Sequence, residues 1–91
     1  MASIIIPTPL RKFTNNQASI ESNGTTVLDA VKHLASEFPD LNKHIFDANG
    51  DIRQFIRIYV GDEDIDALDS VSTKVEAASV ISIIPAIAGG L

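Results

Sequence analysis

The side chains that most often carry chemistry are few and poorly arranged in this 91-residue chain. It has no cysteine, which removes disulfide frameworks, thiolate metal sites, cysteine-ligated clusters and cysteine nucleophiles. Serine, threonine, lysine and tyrosine remain as nucleophiles, but none stands in a G-x-S-x-G elbow, a P-loop or a dinucleotide fingerprint. His33 and His44 lie 11 positions apart, a spacing not associated with zinc sites, and read as helix-surface or cap residues. Asp62, Glu63, Asp64, Asp66 and Asp69 suggest an oxygen-rich calcium loop. The EF-hand register fails, however, with Ala67 at the turn glycine and Thr73 at the bidentate acid, so the loop reads as a solvated turn. Asp47-Ala48-Asn49-Gly50-Asp51 lacks the later glycine and glutamate and reads the same way. Arg53, Arg57 and Tyr59 resemble a nucleic-acid face, but a chain with four phenylalanines and one tyrosine has few stacking platforms. They read as a partly exposed sheet edge or a partner-facing surface.

The remaining candidate is main chain. Gly89-Gly90 follows an apolar run over 80–84 that Pro85 closes. A tail without side chains threads into a cleft where any Cβ would clash. A main-chain carboxylate needs no catalytic side chain of its own, because a partner can activate it as a mixed anhydride and exchange it for sulfur or an amine. In isolation a Gly-Gly-Leu ending is a frayed terminus. The order of the elements upstream changes that reading.

The length fits one small domain, expected over 1–84, with a flexible tail over 85–91. Hydrophobic residues form 45% of the chain and charged residues 21%, the balance of a folded domain. Twelve acidic side chains against seven basic ones give a net charge of -5, which repels phosphate backbones. The apolar run Ile4-Ile5-Ile6 stops at Pro7 and is too short for a signal core or a membrane span, so a cytoplasmic protein without membrane contact is expected.

The runs over 3–6 and 80–84 are nearly continuously apolar and predict central strands buried on both faces. Residues 18–22 and 55–60 alternate, predicting half-covered strands; a polar connector joins the first of these to the opening strand. Thr26, with Asp29 three positions on, predicts a helix start, and Val27, Leu28, Val31, Leu34, Ala35 and Phe38 form its apolar stripe up to Pro39. A short helical turn over 41–46 and a short strand around Ile65 complete the pattern. The order predicts an α+β fold, the ubiquitin-like β-grasp, with a mixed four- to five-stranded sheet covered by one main α-helix.

With that order in place, the chain resembles the ubiquitin-like sulfur carriers of the ThiS/MoaD type. The residues that carry the likeness are Ile4-Ile5-Ile6-Pro7, the segment Arg57-Ile58-Tyr59-Val60-Gly61-Asp62-Glu63-Asp64-Ile65 and the ending Ile83-Ile84-Pro85-Ala86-Ile87-Ala88-Gly89-Gly90. The ending is most similar to the CysO-like branch of cysteine biosynthesis. The resemblance implies a carrier rather than an enzyme, with no cofactor of its own. An E1-like enzyme would adenylate the Gly90 carboxylate with ATP and a sulfur donor would convert it to a thiocarboxylate. Pro85, Ala86, Ile87, Ala88 and Gly89 would thread into the partner, and Phe55 and Tyr59 would offer it a surface. A pyridoxal-phosphate-dependent cysteine synthase would accept the sulfur, and a JAMM-type metalloprotease would release the product. Leu91 departs from the pattern, because Gly90 has no free carboxylate until it is removed; it is either a precursor residue trimmed at the Gly90-Leu91 bond or one left by expression. A molybdopterin-synthase small subunit, a ubiquitin-like protein modifier and a noncatalytic β-grasp interaction module are the alternatives.

Overall fold

The computed structural model describes residues 2–85; the readings placed on residues 86–91 lie outside the described residues. Strands β1 (Ala2–Ile5), β2 (Ser19–Ser22), β3 (Ile56–Val60), β4 (Glu63–Asp64) and β5 (Val80–Pro85) form one sheet in the order β2-β1-β5-β3-β4. Helices α1 (Val27–Glu37) and α2 (Pro39–Ile45) cover it. This is the mixed β-grasp sheet the sequence predicted, with all five strands, and the short helical turn expected over 41–46 forms as α2, starting two residues earlier.

The two most apolar strands are the central pair. β1 and β5 run in parallel, with Ser3 opposite Val80 and Ile5 opposite Ser82, while β3 lies antiparallel on the other side of β5. Ile4, Ile6, Ile81 and Ile83 are at most 2% exposed and pack with Val31, Leu34, Leu41 and Ile45. The expectation that these strands are buried on both faces is corrected. Ser3, Ile5 and Ser82 are only half-buried, and Val80 and Ile84 are 41% and 44% exposed. The core lies on one side of the sheet, so an apolar run in a central strand here has one sealed face and one open face.

Local signals explain the other elements. Thr26 is extended (φ -131°, ψ 165°), and its hydroxyl oxygen accepts the Asp29 N–H at 3.2 Å, satisfying one of the free amides at the start of α1. The Asp29 carboxylate accepts a hydrogen bond from the Thr25 hydroxyl instead of reaching back to Thr26, so only half of a capping box forms. Val27, Ala30, Val31, Leu34 and Ala35 are buried, with Leu28 and Phe38 partly buried against the same core. Pro39 ends α1 and opens α2, where its fixed φ suits a first helical turn. The stretch after Pro7 read as a polar connector, yet a 3-10 helix forms over Thr8–Phe13 because Leu10 reaches the core. It closes at the fully buried Thr14, whose hydroxyl lies 3.2 Å from Arg11 O and 3.0 Å from Gln17 O. The β3–β4 hairpin turns through Gly61 (φ 62°). β4 comes earlier than the expected strand around Ile65, because Ile65 is drawn into the core and starts a 3-10 turn capped by Asp64.

Gly24 bridges β2 and α1 with φ 153°, and a Cβ built there would stand 2.6 Å from Ala30 N and 2.9 Å from Ala30 Cα. The obstacle is helix backbone, which cannot step aside as a side chain can. Gly24→Ala is therefore expected to lower stability by about 1–3 kcal/mol, read as a lower urea midpoint; an unchanged midpoint would contradict the close approach.

Candidate functional site

β5 carries the chain to Pro85, which stands opposite Ile56 on β3. Phe55 precedes Ile56 and is 41% exposed, so it lies beside the point where the chain leaves the sheet. Tyr59 is half-buried and faces Ser82 across the β3–β5 pair, and Ser82 in turn faces Ile5. Alternation places Arg57, Tyr59, Val80, Ser82 and Ile84 on the open side, away from buried Ile56, Ile58, Ile81 and Ile83. The structure thus places Tyr59 on the open face and Phe55 beside the exit of β5, whereas Pro85, in register with buried Ile56, falls on the face of Ile81 and Ile83. Ile84, opposite Arg57, and Val80 belong to the open face and were missed. Their signal was present as an apolar run broken only by Ser82, but a sequence cannot separate a face covered by its own helices from one left open.

Arg57 borders the open face, with Nη1 3.6 Å from Asp64 Oδ2 and 3.2 Å from Asp66 Oδ2. Arg57 and Asp66 are more than half exposed, so the pairs add little stability, though they hold the 3-10 turn against β3. Asp64 Oδ1 also accepts the Asp66 N–H. These contacts occupy the acidic loop internally, and among the described residues no three His, Cys, Asp or Glu side chains converge to hold a metal. In the second acidic turn Asp47 Oδ1 accepts the N–H groups of Asn49 and Asp51.

A serine, a histidine and a glutamate do meet. Ser22 Oγ lies 3.1 Å from His33 Nδ1, which is 3.8 Å from Glu37 Oε1. This is no catalytic triad. Ser22 is fully buried and spends its proton on Ala30 O at 2.6 Å, and Glu37 approaches the same ring nitrogen as the serine rather than the opposite one. The cluster ties β2 to α1. His44 lies apart, stacked on Phe13 with ring centroids 4.3 Å apart. The described side chains leave a partly apolar open face beside the strand end at Pro85, with no assembled nucleophile and base. No helix among the described residues is long and apolar enough to cross a membrane.

The β-grasp fold, with its last central strand leading into a Gly-Gly ending, defines the class of small ubiquitin-like carriers. The ThiS family model matches residues 4–90, and the chain belongs to that family. The sulfur carrier protein CysO of Mycobacterium tuberculosis is 30% identical over 90 residues, covering 97% of each chain. The CysO structure determined as a BexX/CysO complex from Amycolatopsis orientalis superposes with a TM-score of 0.88 at 30% identity, covering 99% of this chain and 100% of that one. Small archaeal modifier protein 1 from Methanosarcina acetivorans shares the fold, with a TM-score of 0.89 at 21% identity over 98% of this chain and 95% of that one. The protein is thus a CysO-like carrier of the ThiS/MoaD type rather than an enzyme.

The structural role of Ser22 has a direct consequence. Ser22→Ala removes a buried hydrogen bond and leaves Ala30 O without its side-chain partner, so equilibrium unfolding should show a loss of about 1–2 kcal/mol. A variant as stable as the parent would remove the link between β2 and α1.

Proposed function

We propose that the chain carries sulfur as a thiocarboxylate on Gly90, presented on the tail that follows Pro85, for cysteine biosynthesis. The observation that carries this reading is the ending Pro85-Ala86-Ile87-Ala88-Gly89-Gly90 directly after the strand that is central in the CysO-like fold. Once Leu91 is absent, a Gly90 carboxylate oxygen attacks the α-phosphorus of ATP in an E1-like enzyme and pyrophosphate leaves. A sulfur nucleophile then displaces AMP from the acyl carbon. The resulting sulfur anion is more polarizable than a carboxylate, and the tether raises its effective concentration at the acceptor. A pyridoxal-phosphate-dependent synthase receives the sulfur and a JAMM-type metalloprotease frees the product, so ATP and pyridoxal phosphate belong to the partners, in the cytoplasm. The complex of a CysO with BexX supports work through a partner protein.

In this reading the tail after Pro85, ending at Gly90, enters the activating enzyme while Phe55, Tyr59 and Ile84 dock beside it. ATP–pyrophosphate exchange with the E1-like enzyme tests the chemistry: the chain ending at Gly90 supports exchange and the chain retaining Leu91 does not. Equal exchange by both would remove Gly90 as the acyl group. Ile84→Asp tests the surface, because it places a charge on an apolar contact 44% exposed in the free chain. Affinity for the enzyme should fall about tenfold, while the unfolding midpoint holds.

A further inference from the structure

The end of the sheet from which the tail leaves also gathers most of the chain's positive charge. The 3-10 helix Thr8–Phe13 follows β1, which runs parallel to β5, so Arg11 and Lys12 lie at the Pro85 end. Arg53 reaches the same end, since Ile56 donates its N–H to Arg53 O and pairs with Pro85. Lys43 joins them, because Arg53 Nε donates to Lys43 O at 2.9 Å and Arg53 N donates to Ile45 O. Four of the seven lysines and arginines are therefore collected there, in a chain whose net charge is -5.

Their state is as informative as their number. Arg11 Nε donates to Ile6 O at 3.0 Å and Arg53 Nε to Lys43 O, so main-chain carbonyls hold both guanidinium groups by one edge and leave the terminal nitrogens to a partner. Among the described residues, none of the four cations forms an ion pair with a carboxylate. Asp47, the acid that follows α2, is engaged by the N–H groups of its own turn. The stacked Phe13–His44 pair stiffens the surface between the 3-10 helix and α2, and Lys12 Nζ sits 5.2 Å from the Phe13 ring centroid.

We propose that this cationic face docks an acidic protein surface at the rim of the activating enzyme's tail-binding cleft, a contact separate from the apolar open face. The inference rests on the carrier reading above. Opposite charges at the rim would orient the chain tail-first during approach and speed association despite its overall negative charge.

The test uses the chain ending at Gly90 and its E1-like enzyme in ATP–pyrophosphate exchange. Lys12 and Lys43 are exposed and make no side-chain hydrogen bond among the described residues, so Lys12→Glu with Lys43→Glu changes charge without opening the core. At about 0.01 M salt the double variant should raise the KM for the carrier about tenfold with kcat unchanged. The effect should shrink at about 0.15 M, where the Debye length falls from about 30 Å to about 8 Å. Lys32→Glu with Lys74→Glu, an equal charge change elsewhere, should leave KM within about twofold of the parent. Equal effects of the two pairs, or none from either, in an assay where the parent is activated normally, would overturn the docking face and leave the carrier reading standing. No activation of the parent would overturn both. Binding of a mixed-sequence single-stranded RNA that only the Lys12/Lys43 pair abolishes, with KM unmoved, would assign the face to nucleic acid and overturn the proposal.

Discussion

The parallel pairing of β1 with β5 is the constraint on which the rest of the molecule depends. It joins the first strand to the last and buries Ile4 and Ile6 beside Ile81 and Ile83, all under the helices. Each such isoleucine contributes about 1.5–3 kcal/mol on burial. Losing two, about 3–6 kcal/mol, reaches the lower end of the whole stability of a small domain, about 5–15 kcal/mol. The pairing also sets the direction and height at which the chain leaves the sheet. Whatever follows Pro85 starts from a rigid central strand, not from a loose edge.

The sheet is sealed on one side only, and this asymmetry links packing to use. Inward residues of β3 and β5 are spent on the core, while outward residues include exposed Ile84 and Val80 and half-buried Tyr59. Apolar side chains left in water on a central strand contribute nothing to the free fold. They are open to contact from outside, next to the strand end that the tail follows. The cations around Arg53 and the 3-10 helix add a polar element at the same end. A carrier with little chemistry among its side chains can still be specific, since its specificity resides in how it is held.

Much of this was legible in the residues. The Thr26 cap, the stripe from Val27 to Phe38 and the breaker Pro39 placed α1 almost to the residue, and alternation from Ile56 to Val60 placed β3. The apolar runs correctly put β1 and β5 at the centre of the sheet. Their open face was not legible, because apolarity records that a face is covered without recording by what. The 3-10 helix at Thr8–Phe13 was hidden because its core contacts, Leu10 and Phe13, are only two, too few to set a period against the polar residues around them. The gathering of Arg11, Lys43 and Arg53 was hidden as well. These residues are far apart in sequence, and only the topology of the sheet and α2 brings them to one end.

The central claim is that Gly90 serves as an acyl group that is loaded with sulfur. Its most direct test is the intact mass of the protein isolated from its native cell while that cell is making sulfur metabolites. A species ending at Gly90, with a fraction heavier by the exchange of one oxygen for one sulfur, is the expected result. A population that keeps Leu91 throughout and never carries the added sulfur would contradict the account and leave the fold as an interaction module.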